Sequence, residues 1–308
     1  MTEKIFKDFV AYAQEKKLPI EAIAIGDEKQ VFFEHHFVPD QPRNIYSHTK
    51  SFMSTAAGIA ISEGKLSLDD KLADFFPDSV PEGAQEEIFD IRLRHLLTMS
   101  SGFGKPYLMG ADRRVGTGMP DYMAYMLSRP VIKTPGAEFN YSTADSILAG
   151  RMVEKAVGMN MSQYLYEKLF SKMDIGHPIW ECCPLGHPIG GGGMFLKLGD
   201  MMKLGQLYLA DGIWNGERLV PSEWIAQASA KQIENAPDDG KRGTDWWNCG
   251  YGYQFWRSPY PDSYRADGAY GQITMVLPKS GLVVSFQCPE FGNFVVKRDV
   301  HERVFALL

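Results

Sequence analysis

Strand-like segments lie near both ends of this sequence, and the long stretch between them has a helical pattern. After an amphipathic N-terminal helix come two runs rich in β-branched and aromatic residues, Ile20–Gly26 and Val31–Phe37, which predict a hairpin. Strands of similar composition are predicted near the C-terminus over Tyr251–Arg257, Tyr264–Ala266, Gln272–Leu277 and Leu282–Gln287. Since short turns separate these strands, we expect one antiparallel sheet made from both chain ends, flanked by N- and C-terminal helices.

The middle of the sequence predicts a bundle of helices. They are expected over Ser47–Glu63, Leu72–Phe76, Arg92–Met99, Asp121–Ser128, Ala144–Val157, Met161–Phe170 and Leu198–Ala210. The first of them is apolar almost all round, which indicates burial. We therefore expect an α/β layer built from residues 1–46 and 205–308, with an all-α lobe inserted over residues 47–204. A cleft between two such lobes is where a small-molecule site is expected.

Composition excludes several classes of function. The chain has 308 residues and a net charge of -6, so it has no general attraction for nucleic-acid phosphates. No apolar run approaches the roughly 20 residues that a membrane span needs. The charged N-terminus, MTEKIFKDFV, lacks the apolar core of a signal peptide. We therefore expect a cytoplasmic protein with neither nucleic-acid nor membrane partners.

The four cysteines favour neither a disulfide framework nor a metal site. Cys182 and Cys183 are adjacent, with His177 and His187 nearby, whereas zinc sites space their cysteines two to four residues apart so that both sulfurs converge. A chain of this size does not depend on disulfides for stability. We expect free thiols.

Ser47 and Lys50 form an S-x-x-K element at the start of the helix that we expect to be buried. The spacing puts Lys50 on the same helix face as Ser47, within reach of its hydroxyl. The helix start favours a developing negative charge, and a lysine in a dry site loses basicity and can serve as a neutral base. A second match, Ser62 and Lys65, lies at the end of the helix. On this element alone, an N-cap serine beside a solvated lysine is an equal alternative.

Four further segments, read together with Ser47, carry a resemblance to a known family. They are LRHLLTMSSG at Leu93–Gly102, PGAEFNYS at Pro135–Ser142, GGGM and the following helix start at Gly191–Met201, and DGAYGQ at Asp267–Gln272. In this order and spacing, the chain resembles the serine β-lactamase-related superfamily: class C β-lactamases, penicillin-binding D-alanyl-D-alanine peptidases, and related esterases and amide hydrolases. The resemblance implies a β-lactamase/transpeptidase-like fold and no metal or organic cofactor.

The resemblance also implies roles for four residues. Ser47 is the nucleophile, Lys50 is its lysine, and Tyr141, from the family's Y-x-N element, moves the proton between them and the leaving group. The backbone N–H of Ala269 completes an oxyanion hole with that of Ser47. Gly268 precedes Ala269 because the strand must approach the acyl group closely, and a side chain would block it.

Three residues depart from the family pattern and bear on the substrate. Thr143 stands where the family has asparagine, and Ala266 and Asp267 replace the lysine and threonine of its K-T-G element. In β-lactam-recognising members, that cation and hydroxyl help to hold the substrate carboxylate. The departures therefore favour a neutral or cationic substrate. We expect Thr143, Ala266, Asp267 and Gly268 to contact it, together with Tyr270 and Phe103.

These observations predict a serine hydrolase that cleaves a small ester or amide through an acyl-enzyme on Ser47. Within enzymes, the alternative is a β-lactamase or D-alanyl-D-alanine carboxypeptidase. From another class, the alternative is a catalytically silent binding or regulatory module of the same fold. Joint retention of Ser47, Lys50 and Tyr141 favours an enzyme.

Overall fold

The computed structural model describes residues 2–236, 246–290 and 294–308. In these ranges the α-helices are α1 (Thr2–Lys16), α2 (Thr49–Ser62), α3 (Leu72–Phe75), α4 (Leu93–Leu97), α5 (Gly110–Val115), α6 (Tyr122–Leu127), α7 (Thr143–Val157), α8 (Met161–Lys168), α9 (Leu198–Leu209), α10 (Ser222–Ser229) and α11 (Phe294–Arg303). The strands are β1 (Ala22–Gly26), β2 (Val31–His36), β3 (Arg43–Asn44), β4 (Phe195–Leu196), β5 (Ile213–Trp214), β6 (Glu217–Arg218), β7 (Trp256–Arg257), β8 (Tyr264–Gly268), β9 (Gln272–Leu277) and β10 (Leu282–Gln287). None of these helices combines the length and the apolar character needed to cross a bilayer.

Both chain ends contribute to one six-stranded sheet, in the order β2-β1-β10-β9-β8-β7. Every neighbouring pair is antiparallel. The N-terminal hairpin joins the C-terminal strands through β1 and β10, where Ala22 lies opposite Gln287 and Gly26 opposite Val283. The predicted fold class, an antiparallel sheet flanked by terminal helices with helices inserted between its strands, is confirmed.

Helices cover both faces of the sheet. Phe9 of α1 and Val300 of α11 pack in one apolar cluster with the β1, β9 and β10 side chains of one face. On the other face, α9 lies so close that a Cβ at Gly205 would be 2.6 Å from the Thr274 side chain. Glycine is therefore required at this crossing.

Helix α2 lies at the centre of the largest apolar cluster, as its sequence predicts. It packs against α7 and α8, and its residues from Thr49 to Ala60 are all buried. A Cβ at Gly58 would be 2.3 Å from the Trp224 ring, so α10 also approaches α2 closely. This packing fixes the helix that begins at the S-x-x-K element.

The predicted strand over Tyr251–Arg257 is mostly wrong. Only Trp256 and Arg257 pair with β8, because the preceding backbone hydrogen-bonds elsewhere: Tyr253 N–H donates to Ala228 and Gln254 N–H to Leu97. Gln254 has a φ of +64°, and its side-chain amide donates to Leu96 and Leu97. The segment therefore ties the sheet to the helices instead of extending the sheet.

Candidate active site

Ser47 lies in a single 3-10 turn, Tyr46–His48, immediately before α2. The end of β8 touches the backbone of this turn: a Cβ at Gly268 would be 2.2 Å from the Ile45 carbonyl oxygen and 3.2 Å from the His48 nitrogen. Only glycine fits this approach, which agrees with the role that the sequence predicted for Gly268. The contact brings Ala269 and Ser47 to the wall of the same cavity.

Lys50 is 1% exposed. It links Ser47 to the glycine segment that follows Pro188, whose backbone pairs with that of Cys182. Its Nζ donates to Ser47 Oγ at 3.3 Å and to the Gly191 carbonyl oxygen at 2.6 Å. Burial, reinforced by the positive charge of Arg113 and opposed by the carboxylate of Asp145, lowers the pKa of Lys50 to about 7. Near neutral pH the amine is thus half deprotonated and able to accept a proton.

Tyr141 lies two residues before α7, and the nearby Ser47 side chain acts to lower the pKa of its phenol, against the larger effect of burial. Lys50 Nζ is 5.1 Å from the centre of its ring. Burial raises the pKa of Tyr141, so the phenol keeps its proton at neutral pH. The ring packs against Phe139, Tyr251 and Trp256, which hold it in place on one side of Ser47.

A cavity of about 450 Å³ opens beside Ser47. Among the predicted substrate-binding residues, Thr143 and Tyr270 line it. The Tyr270 ring meets that of Tyr46 edge-on, with ring centres 5.1 Å apart. Neither Tyr141 nor its ring partners Phe139, Tyr251 and Trp256 line this cavity.

Gly191, Gly192 and Gly193 form another part of the cavity wall, and each lies against a different neighbour. A Cβ at Gly191 would be 2.7 Å from Thr143 and 3.0 Å from Lys50 Nζ. At Gly193, which has a φ of +77°, it would be 2.4 Å from the Cβ of Glu181. The glycine run therefore allows close backbone approach to the site, and its Gly191 carbonyl accepts a hydrogen bond from Lys50.

Arg113 and Glu181 are the site residues that sequence reasoning missed. The guanidinium donates from Nε and Nη2 to the two carboxylate oxygens of Glu181, each at 3.1 Å, and from Nη1 to the Leu108 carbonyl at 2.7 Å. Both residues line the cavity. A run of charged residues such as Asp112-Arg113-Arg114 is typical of a solvated loop, but Arg113 lies on α5 and its side chain is 11% exposed. Its partner lies 68 residues away, which no local pattern signals.

A family model described as Beta-lactamase matches residues 4–305. The chain belongs to the Beta-lactamase family. Among curated relatives, the 6-aminohexanoate-dimer hydrolase of Paenarthrobacter ureafaciens is 22% identical over 271 residues, which are 75% of this chain and 67% of that protein. Monacolin J acid methylbutanoyltransferase of Aspergillus terreus is 30% identical over 172 residues, 48% of this chain and 37% of that protein.

Solved structures show the same fold. The penicillin-binding protein homologue of Pyrococcus abyssi superposes with a TM-score of 0.74 at 21% sequence identity, covering 99% of this chain and 77% of that one. The resemblance inferred from the sequence is thus confirmed. As a member of the Beta-lactamase family, the protein is a serine hydrolase.

Two predicted substrate contacts of this Beta-lactamase-family protein are not found at the cavity. Phe103 is 2% exposed and packs in the main apolar cluster, where the bridge between residues 103 and 131 holds its backbone. Ala266 is also 2% exposed and belongs to the same cluster. Neither residue lines the cavity, since both face the packed interior.

Asp267 also points away from the cavity, because it lies on the same face of β8 as Arg265. Its carboxylate accepts from Arg265 Nε and from Lys297 Nζ, both at 2.8 Å. Arg265 further donates to the Arg257 and Trp246 carbonyls and lies over the Trp246 ring. Burial raises the pKa of Asp267, but the two cations outweigh that effect and hold it below its usual range. The carboxylate thus serves an internal ion network instead of the substrate.

The cysteines lie apart from this chemistry. Cys182 and Cys183 are free thiols, the first exposed and the second buried. Across the three described ranges, no group of three or more histidine, cysteine or acidic side chains is placed to hold a metal ion.

Proposed function

We propose that the protein hydrolyses small esters or amides through an acyl-enzyme formed on Ser47. The observation that carries the proposal is the position of Lys50: it is buried, its Nζ reaches Ser47 Oγ, and its pKa is lowered to about 7 by burial. A solvated lysine would stay protonated at neutral pH and could not accept the serine proton.

The proposed reaction follows from the protonation states of the site, with Lys50 neutral and Ser47 and Tyr141 protonated at the start. Neutral Lys50 takes the proton of Ser47 as Oγ bonds to the substrate carbonyl carbon, and the N–H groups of Ser47 and Ala269 bind the resulting oxyanion. As the bond to the leaving group breaks, Tyr141 gives that group its proton and recovers one from Lys50. Water then attacks the acyl-enzyme by the same route, which releases the acid and restores Ser47.

The cavity is proposed to hold the acyl part of the substrate. Because Tyr141 protonates the leaving group, that group departs on the Tyr141 side of Ser47. The acyl part then occupies the other side, where Thr143, Gly192 and Tyr270 line the cavity. Among the relatives, one is named a 6-aminohexanoate-dimer hydrolase and another a methylbutanoyltransferase, and the second name supports a small acyl group.

Esters are favoured over β-lactams because strand β8 offers no cation to a substrate carboxylate. Ala266 is buried among apolar side chains, and Arg265 is bound to Asp267 behind the strand. Losing a charge-assisted hydrogen bond costs about 1.5–3 kcal/mol, which is roughly a 10- to 100-fold loss in acylation efficiency. A β-lactamase or carboxypeptidase activity is the weaker candidate for this reason. The cytoplasmic location and the division into two lobes stay predictions.

The test is a panel of p-nitrophenyl acetate, p-nitrophenyl butyrate and nitrocefin, with Ser47→Ala as the blank and a fluorophosphonate probe for labelling at Ser47. We expect ester turnover and labelling by the wild type only, with nitrocefin cleaved more slowly than either ester. Nitrocefin cleaved faster than both esters would indicate a β-lactamase instead. A wild type that is neither labelled nor active would indicate a silent binding module.

A further inference from the structure

The guanidinium of Arg113 is a fixed positive charge beside the reacting groups. Its three hydrogen bonds, two to Glu181 and one to the Leu108 carbonyl, leave it no freedom to swing into solvent. Glu181 is 43% exposed and Arg113 is 11% exposed, so water screens the carboxylate more than the guanidinium. A bidentate, half-buried pair of this kind is held by geometry as well as by charge.

Arg113 and Lys50 meet the same glycine segment. Lys50 Nζ donates to the Gly191 carbonyl at 2.6 Å, and the Cβ position of the next residue, Gly192, is 3.9 Å from Arg113 Nη2. A Cβ at Gly191 would itself be 3.0 Å from Lys50 Nζ, so the two neighbouring glycines lie against the two cations, one each. Protonation of Lys50 would place a second positive charge near that of Arg113, so the charge of Arg113 opposes it.

The negative charges near Lys50 act in the opposite direction, including that of Glu181, which offsets part of the field of Arg113. Asp145 on α7 favours the charged amine, although its carboxylate is buried and accepts from Ser101 Oγ and N–H. Tyr141 stays protonated. Arg114 lines the cavity too, but it is exposed and its Nε donates to the Gly110 carbonyl.

We propose that Arg113, anchored by Glu181, is a positioning residue whose fixed charge keeps Lys50 in its neutral, proton-accepting form. The inference rests on the proposed role of Lys50 as the base of the hydrolysis. In this arrangement the Glu181 carboxylate anchors the guanidinium of Arg113. Because the glycine run has no side chains, the guanidinium can lie near the Lys50 amine.

The experiment is the pH profile of kcat/KM for p-nitrophenyl acetate between pH 5 and 9.5. The wild type is expected to lose activity below about pH 7, where Lys50 becomes protonated. In Arg113→Gln the charge that opposes protonation is gone, so the acidic limb moves to higher pH. When each enzyme is referred to its own activity at pH 9.5, the activity of Arg113→Gln at pH 6 is about three- to tenfold lower than that of wild type. Arg113→Lys keeps the charge and keeps the wild-type limb.

Arg114→Gln is the matched control, since it removes an adjacent cation of the same cavity, and its limb stays at the wild-type pH. The inference is overturned if Arg113→Gln leaves the limb unmoved, including an equal loss at every pH, as a purely structural role would give. It is also overturned if Arg113→Lys behaves like Arg113→Gln, or if Arg114→Gln shifts the limb equally. A wild type without any acidic limb would instead refute the role of Lys50 in the proposed function.

Discussion

Two buried carboxylates lie close to the catalytic groups, and their surroundings differ. Asp267, behind β8, accepts from the cations Arg265 and Lys297. Asp145, on α7, is 0% exposed and accepts only uncharged donors, the hydroxyl and the N–H of Ser101. The pKa of Asp267 is accordingly held below its usual range, whereas burial raises that of Asp145 to about 7.

The comparison shows that burial alone does not decide the charge of an acid. An ion pair in the interior is stable only when its partners compensate for the lost water, which Arg265 and Lys297 do for Asp267. Within the described part of the chain, no cation lies at hydrogen-bond distance from Asp145, and the charge of Lys50 offsets its desolvation only in part. Removing each carboxylate should therefore change stability in opposite directions.

Asp267→Ala is expected to give the largest change in stability. It leaves Arg265 buried without its carboxylate, so the free energy of unfolding falls by about 3–5 kcal/mol at pH 7. The folded pKa of Asp267 lies below the unfolded value, so its contribution is complete above about pH 4 and is lost in more acidic solution. Urea unfolding at pH 7 measures the effect, and a loss below 1 kcal/mol would contradict it.

Asp145→Asn should stabilise the protein at alkaline pH by a smaller amount. The folded pKa of Asp145 is raised to about 7, so its favourable contribution is complete only below about pH 4 and is lost as the pH rises to 7. Asparagine keeps an acceptor for Ser101 and carries no charge. We expect the variant to gain about 1–3 kcal/mol on wild type between pH 4 and pH 8. An unfolding difference that does not vary with pH would refute this reading of the site.

Glu181→Gln gives the smallest change, because its ion pair with Arg113 is partly exposed. The free energy of unfolding should change by no more than about 1 kcal/mol. The same urea titration at 0.1 M and 1 M salt measures it, with Asp267→Ala as the buried counterpart. A loss as large as that of Asp267→Ala would mean that the Arg113–Glu181 pair supports the fold as well as the chemistry.

Much of the fold and the centre of the site could be predicted from local patterns. The bounds of β9 and β10 are those of the two predicted strands. The spacing of Ser47 and Lys50 predicted that the amine reaches the hydroxyl, and Lys50 Nζ is 3.3 Å from Ser47 Oγ. These features depend only on neighbouring residues, which a sequence displays directly.

What could not be predicted depends on distant partners. Arg113 lies on α5 and Glu181 is 68 residues further along the chain, and the ions Asp267 and Lys297 are 30 residues apart. The sequence predicted that Asp267 places a negative charge beside the substrate. Its partners Arg265 and Lys297, which hold the carboxylate behind β8, are not apparent from any local pattern. Phe103 indicated a pocket wall because an aromatic side chain has the same sequence signature in a core and in a cavity.

The pairing of β1 with β10 has a consequence for how the protein is made. Ala22 cannot pair with Gln287 until roughly 260 further residues have been synthesised, which takes about 13–50 s at usual translation rates. During that time the edge of β1 that later pairs with β10 is unpaired, so it can form backbone hydrogen bonds with strands of other nascent chains. The catalytic strand β8 is itself synthesised late. We therefore expect nascent chains to be inactive and dependent on chaperones until the last strand has emerged.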